Sequence, residues 1–261
     1  MVGAVVLFSF FSLRASGFCK KNNPSQWLFC TVNLQMNRLL WSLTCFLAFT
    51  ACQSEPKNSA ASETGAPVAP TTPVAQKNIV FFGNSLTAAY QLSPEQGYVA
   101  IIQRRIDSLQ LPYRCVNAGI SGETTADGKS RISWVLQQPV DVFVLELGGN
   151  DALRGLPIAQ SAANLQAIAD SVQRRYPNCQ MVVAGMLAPP NLGTTYTNAF
   201  QTMYSELAQR NRAALIPFLL ENVGGIAALN LEDGIHPNVA GQKIVAENVW
   251  RVLHPLLKGS R

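Results

Sequence analysis

Five short runs of β-branched and aromatic residues recur along the chain: NIVFF (78–82), YRCVNA (113–118), VDVFVLEL (140–147), QMVVAGML (180–187) and AALIPF (213–218). Runs of this length that are apolar almost throughout suit strands buried on both faces of a sheet. Between the first two, Tyr98, Ile101, Ile102, Arg105, Ile106 and Leu109 fall largely on one helical stripe, and further helices are expected near 158–175, 198–212 and 239–257. Strand, helix, strand in this order predicts the α/β class: a doubly wound, parallel five-stranded sheet with helices on both faces, three layers α/β/α. Such sheets place their sites at the carboxyl ends of the strands.

This domain is expected over 78–261, and what precedes it has a different composition. Residues 52–77, with QSEPKNSAASETGAPVAPTTPVAQK, are rich in Ser, Ala, Thr and Pro and carry almost nothing to bury, which predicts a disordered tether. Residues 1–51 hold Arg14, Lys20, Lys21 and Arg38 and no acidic residue. Removing those four from the 20 basic residues leaves 16 against 15 acidic, so the formal charge of +5 belongs mostly to this leader. With no basic stripe in the domain, nucleic acid is not an expected partner. Within the leader, MNRLLWSLTCFLAFTACQS has one basic residue, a short apolar core and small residues ending at Ala51 and Cys52. It resembles a bacterial lipoprotein signal over 36–51 with Cys52 as the lipidated residue, its apolar core short for a membrane span. Cleavage without lipid and an ordinary buried helix are the alternatives, and residues 1–35 resemble an extension from a misassigned start codon. The expected location is the periplasmic face of a membrane, or the periplasm in soluble form.

Four places in the domain carry chemistry. Ser85 follows the first run, where Gly83 lets the backbone turn, and is expected to lead into a helix whose amino terminus favours negative charge. Taken alone, Ser85 reads as a helix N-cap as well as a nucleophile. The chain has two histidines. His254 lies near the end of the last helix, while His236 sits in LEDGIHPN, three residues after Asp233. Asp233 can accept the Nδ1 proton of His236 and leave Nε2 to take a proton from Ser85, or the turn can simply cap the last helix. AGISGET and LELGGND each follow a strand, and there Gly122 and Asn150 can supply donors that join the Ser85 N–H as an oxyanion hole.

The blocks GNSLT, SGET, GGND and DGIHP, in this order, resemble the SGNH (GDSL) hydrolase superfamily, and the domain as a whole is similar to its bacterial arylesterase and lysophospholipase/thioesterase branch. The resemblance implies the SGNH fold, Ser85 as nucleophile, His236 as base with Asp233 orienting it, and Ser85, Gly122 and Asn150 as oxyanion donors. It implies no cofactor and no metal. One position departs from the pattern: Asn84 stands where the family usually has aspartate. The expected activity is hydrolysis of aryl, short- to medium-chain acyl or lysophospholipid esters through an acyl-enzyme. A carbohydrate O-deacetylase and a non-catalytic glycan- or lipid-binding lipoprotein are the alternatives. The loop 152–156 and the stretch 189–196 are expected to line the acyl pocket, with Asp151, Leu153, Leu156 and Pro189 touching substrate. A monomer is expected, held to the membrane through Cys52. With the strands in the flavodoxin-like order 2-1-3-4-5 that goes with this fold, Cys115 and Cys179 fall on the second and fourth, which are not neighbours, and this argues against a disulfide.

Overall fold

The computed structural model describes residues 76–258; the expected leader, Cys52 and nearly all of the tether lie outside the described residues. Strands β1 (Lys77–Gly83), β2 (Tyr113–Gly119), β3 (Val142–Glu146), β4 (Gln180–Ala184) and β5 (Ala214–Ile216) form one parallel sheet in the order β2-β1-β3-β4-β5. The order matches the expectation. Central strands β1 and β3 are apolar because both faces are covered: Ile79, Phe81, Phe82 and Phe143 are inaccessible to solvent, and the Phe82 and Phe143 rings lie 5.5 Å apart. β5 stops earlier than its apolar run, since Pro217 has no N–H to continue the ladder. β4 likewise ends at Ala184, and Met186, Leu187 and Ala188 leave the sheet for the site described below.

On one face α1 (Tyr98–Ser108) packs against α6 (Val239–Lys258); on the other, α2 (Thr125–Val135), α4 (Ile158–Arg175) and α5 (Thr194–Asn211) pack in succession. The α1 stripe buries Tyr98, Val99, Ile102 and Ile106, whereas Leu109 lies past the helix end and is half exposed. Helix α2 is an addition to the elements read from sequence. Thr124 and Asp127 form a capping box at its start, the Asp127 carboxylate accepting from the Thr124 N–H at 2.9 Å. Gly128 then lets α2 settle against Leu147, where a Cβ would come too close to Cδ1 and force it to shift, with Phe82 and Ile168 packed alongside. Cys115 of β2 and Cys179, just before β4, are both free, with β1 and β3 between those two strands. Among the described residues, no helix is long and apolar enough to cross a membrane.

Register sets the site. Gly83 at the end of β1 stands level with Gly119 of β2 and Glu146 of β3. The loops after these three strands therefore start at one height, at the point where the chain reverses its winding direction and an open sheet has its crevice.

Candidate active site

The chain leaves β1 through a gap that only glycine fits, because a Cβ on Gly83 would sit on Thr87 Oγ1 and the Glu146 carboxylate. Residues 84–91 then form a compact turn and not the helix expected to follow Ser85. The Ala88 N–H donates to Asn84 O and the Tyr90 N–H to Ser85 O, both at 3.0 Å, while Ala89 (φ 57°) and Gln91 (φ 58°) take left-handed backbone that ends any helix. The helix-dipole argument for Ser85 falls with that correction. Asn84 is buried and accepts the Leu86 N–H on its Oδ1 at 2.9 Å; its own N–H donates to Glu146 Oε2 at 3.1 Å. Thr87 Oγ1 donates to the same oxygen at 2.8 Å. Burial pushes the Glu146 carboxyl up to about 7 against the pull of the Thr87 and Asn84 hydrogen bonds. Its other oxygen has no partner among the described residues.

His236 reaches this turn from the loop before α6. Its Nε2 lies 2.8 Å from Ser85 Oγ and its Nδ1 lies 2.7 Å from Asp233 Oδ2. The second Asp233 oxygen accepts the N–H groups of Ile235 (2.9 Å) and His236 (3.0 Å), a local turn that Gly234 permits at φ 69°. Desolvation raises the Asp233 carboxyl, but these N–H groups and the imidazole outweigh it and bring it down to about 2. It is therefore an anion facing Nδ1, which fixes the ring with Nε2 toward Ser85. The helix cap that this turn also suggested comes from Asn238, whose Oδ1 accepts from Ala240 and Gly241. His254 stacks on Trp250 at 4.7 Å, and its ring has no hydrogen bond to a carboxylate among the described residues.

The expected oxyanion donors are placed by a second set of contacts. Gly122 adopts φ 84°, and its N–H, like that of Ser85, has no protein partner among the described residues. Asn150 stands on the single-turn helix α3 (Gly149–Leu153) and gives one amide hydrogen to Glu123 O at 2.9 Å, leaving the other free. That bond ties Asn150 to the loop carrying Gly122. The Glu123 carboxylate is gripped by Arg131, whose Nη2 lies 2.6 Å from Oε2 and also donates to Ala118 O at 2.8 Å, with the guanidinium over the Phe82 ring. One arginine thus anchors the loop to the end of β2.

A cavity of about 600 Å³ opens beside Ser85, His236 and Asn150, walled by Leu153, Met186, Leu187, Pro189, Phe218 and Ile235 among others. Leu153 and Pro189 stand where expected. Asp151 and Leu156 do not reach it. Asp151 is buried, accepting from the Thr125 N–H (2.9 Å), Thr125 Oγ1 (2.6 Å) and Ser161 Oγ (2.9 Å), so it joins α2, α3 and α4. Leu156 instead offers its carbonyl to Tyr196 Oη at 2.8 Å, which also takes Tyr196 away from the pocket.

The profile of the GDSL-like lipase/acylhydrolase family matches residues 81–244, from β1 into α6 and across every residue of this constellation. The chain belongs to that family. It is 40% identical over 188 residues to esterase TesA of Pseudomonas aeruginosa, covering 72% of this chain and 92% of that protein. It is 34% identical over 184 residues to thioesterase 1/protease 1/lysophospholipase L1 of Escherichia coli, covering 70% and 86%. Among solved structures it matches the psychrotrophic esterase EstA from Pseudoalteromonas sp., inhibited by monoethylphosphonate, with TM-score 0.66 and 30% identity, covering 70% of this chain and all of that one. It is a carboxylic ester hydrolase of the SGNH type.

Within this GDSL family member, several contributors lie beyond the sequence reading. Phe218 and Leu220 wall the pocket from the chain after β5, Glu146 braces the Ser85 turn, and Tyr90 packs on His236. For the Glu123–Arg131 anchor, the T-x-x-D spacing of Thr124 and Asp127 at the start of α2 is a sequence signal that could have pointed to the helix carrying Arg131. Nothing local marks the others, because each acts through a partner on a different strand or loop.

Proposed function

We propose that the chain hydrolyses esters of short- to medium-chain acids, aryl esters and lysophospholipids among them, by acyl transfer through Ser85. His236 takes the Ser85 proton as Oγ attacks the carbonyl carbon, and the oxyanion is met by the Ser85 and Gly122 N–H groups and the Asn150 amide. The intermediate collapses, His236 returns the proton to the departing alcohol, and a water attacks the acyl-enzyme by the same route to release the acid and restore Ser85. Asp233 remains ionised and supports the imidazolium.

The observation that carries this reading is the continuous line Asp233–His236–Ser85, with gaps of 2.7 and 2.8 Å, ending at an apolar cavity. Its volume of about 600 Å³ falls within the range of roughly 300–1,000 Å³ usual for small-molecule sites and exceeds what an acetyl group fills. That favours an acyl-chain ester over a carbohydrate O-acetyl group. In the same reading Cys52 is lipidated and the tether holds the enzyme at the periplasmic face of a membrane. The test is a series of p-nitrophenyl esters from acetyl to dodecanoyl beside acetylated xylan. Activity peaking above acetyl and absent on xylan is expected; deacetylation of xylan with no activity on longer esters contradicts it.

A further inference from the structure

His236 has a third neighbour. The Tyr90 ring lies with its centroid 4.5 Å from that of His236, the two planes tilted by 40°. His236 lines the cavity and Tyr90 does not; Tyr90 is partly exposed to solvent where it packs on the imidazole. The placement is built: Tyr90 closes the Ser85 turn through its N–H, and the residues on both sides of it, Ala89 and Gln91, hold left-handed backbone. Alanine and glutamine adopt such backbone at a cost, which persists where the surrounding structure demands it. One turn therefore carries both the serine and an aromatic face for the base.

Taking the proposed role of His236 as its basis, we propose that Tyr90 is a positioning residue for the base: its ring keeps the imidazole aligned between Asp233 and Ser85 and stabilises the imidazolium formed in the transition state. The hydrogen bonds at Nδ1 and Nε2 fix two points of the ring and leave it free to rock about the line joining them; a ring packed on its face removes that motion. A cation within about 6 Å of an aromatic centroid is also attracted to the ring face. The attraction exists only once His236 has taken the proton, so it favours the transition state over the ground state. The Tyr90 hydroxyl has no hydrogen-bond partner among the described residues, which leaves the ring as the working part. Among the described residues the groups hydrogen-bonded to His236 are Asp233 on its own loop and Ser85 opposite; Glu146, which braces the Ser85 turn from β3, is the same in every variant compared, and the residues lining the cavity add no other acid or base.

The experiment is the pH profile of kcat/KM on p-nitrophenyl butyrate for wild type, Tyr90→Phe, Tyr90→Leu and Tyr90→Trp, with folding checked by circular dichroism and thermal melts. Tyr90→Leu should lose about three- to tenfold, in kcat more than in KM, and its acid limb should move to lower pH by roughly half a unit, because the imidazolium has lost its support. Tyr90→Phe should keep both rate and limb. A Leu variant with the wild-type limb, or a Phe variant as impaired as Leu, overturns the proposal. If Tyr90→Leu does not fold, Tyr90→Trp decides: its limb should lie at or above that of Tyr90→Phe, and a clearly lower one overturns the proposal. Ser85→Ala assayed alongside tests the underlying reading separately, since activity there removes the assigned nucleophile whatever Tyr90 does.

Discussion

The Asn84 N–H donates to Glu146 Oε2 at 3.1 Å, joining the turn that carries Ser85 to the end of the neighbouring strand β3. The Asn84 side chain contributes an oxygen, accepting from Leu86, and an aspartate oxygen can accept the same bond. The residue that departs from the family pattern therefore keeps the bracing geometry without the charge.

Asn84→Asp should change kcat/KM by less than about tenfold, a barrier change under roughly 1.4 kcal/mol. The acid limb of the pH profile should stay in place, because Asp233 already supplies the carboxylate on His236. A clear upward move of that limb, with the fold intact, would mean that charge at position 84 tunes the base.

Glu146 gives a stability prediction with a definite sign. Its folded value is raised from 4.5 to about 7 by burial, so between these limits the folded state holds a proton that the unfolded chain has released. Stability from this group is complete below about 4.5 and is lost as pH rises through about 7, by at most about 3 kcal/mol. Asp233 runs the other way: lowered to about 2, it contributes above 3.8 and fades only as pH falls toward 2, outside this window. Urea midpoints at pH 5 and pH 8 should differ more in wild type than in Glu146→Gln. Equal differences would show that Glu146 is not protonated in the fold.

β1 and β3 were legible because a strand covered on both faces must be apolar throughout. Ser85, Asp233 and His236 were legible because each sits in a short block whose neighbours shape it: Gly83 before the serine, Gly234 within the histidine turn. The Ser85 turn misled because TAAY has helical propensity, which left-handed Ala89 overrides. Asp151 looked like a pocket residue until Thr125 and Ser161, distant in sequence, are seen to capture it. α2 was missed because its packing rests on a glycine fitted against Leu147, which no hydrophobic pattern records.

The two histidines should separate sharply. His236→Ala is expected to lose about a hundredfold or more in kcat/KM, and His254→Ala, stacked on Trp250, to stay near wild type. Steady-state rates on one p-nitrophenyl ester suffice, and equal losses would show the base to be misassigned.

Lipidation at Cys52 predicts that the expressed protein fractionates with membranes and that Cys52→Ser is released or left unprocessed, while Ser85→Ala fractionates like wild type. Correctly cleaved wild type found only in the soluble periplasm would contradict the anchor.

In the proposed reaction the Ser85 hydroxyl, activated by His236, attacks the ester. The most direct test is kcat/KM of Ser85→Ala against wild type on p-nitrophenyl butyrate, both shown by thermal melts to be equally folded. The account predicts a fall of more than about a thousandfold with the melting temperature barely changed, the remaining rate coming from the oxyanion donors. A folded Ser85→Ala protein that hydrolyses the ester at a rate comparable to wild type would contradict it.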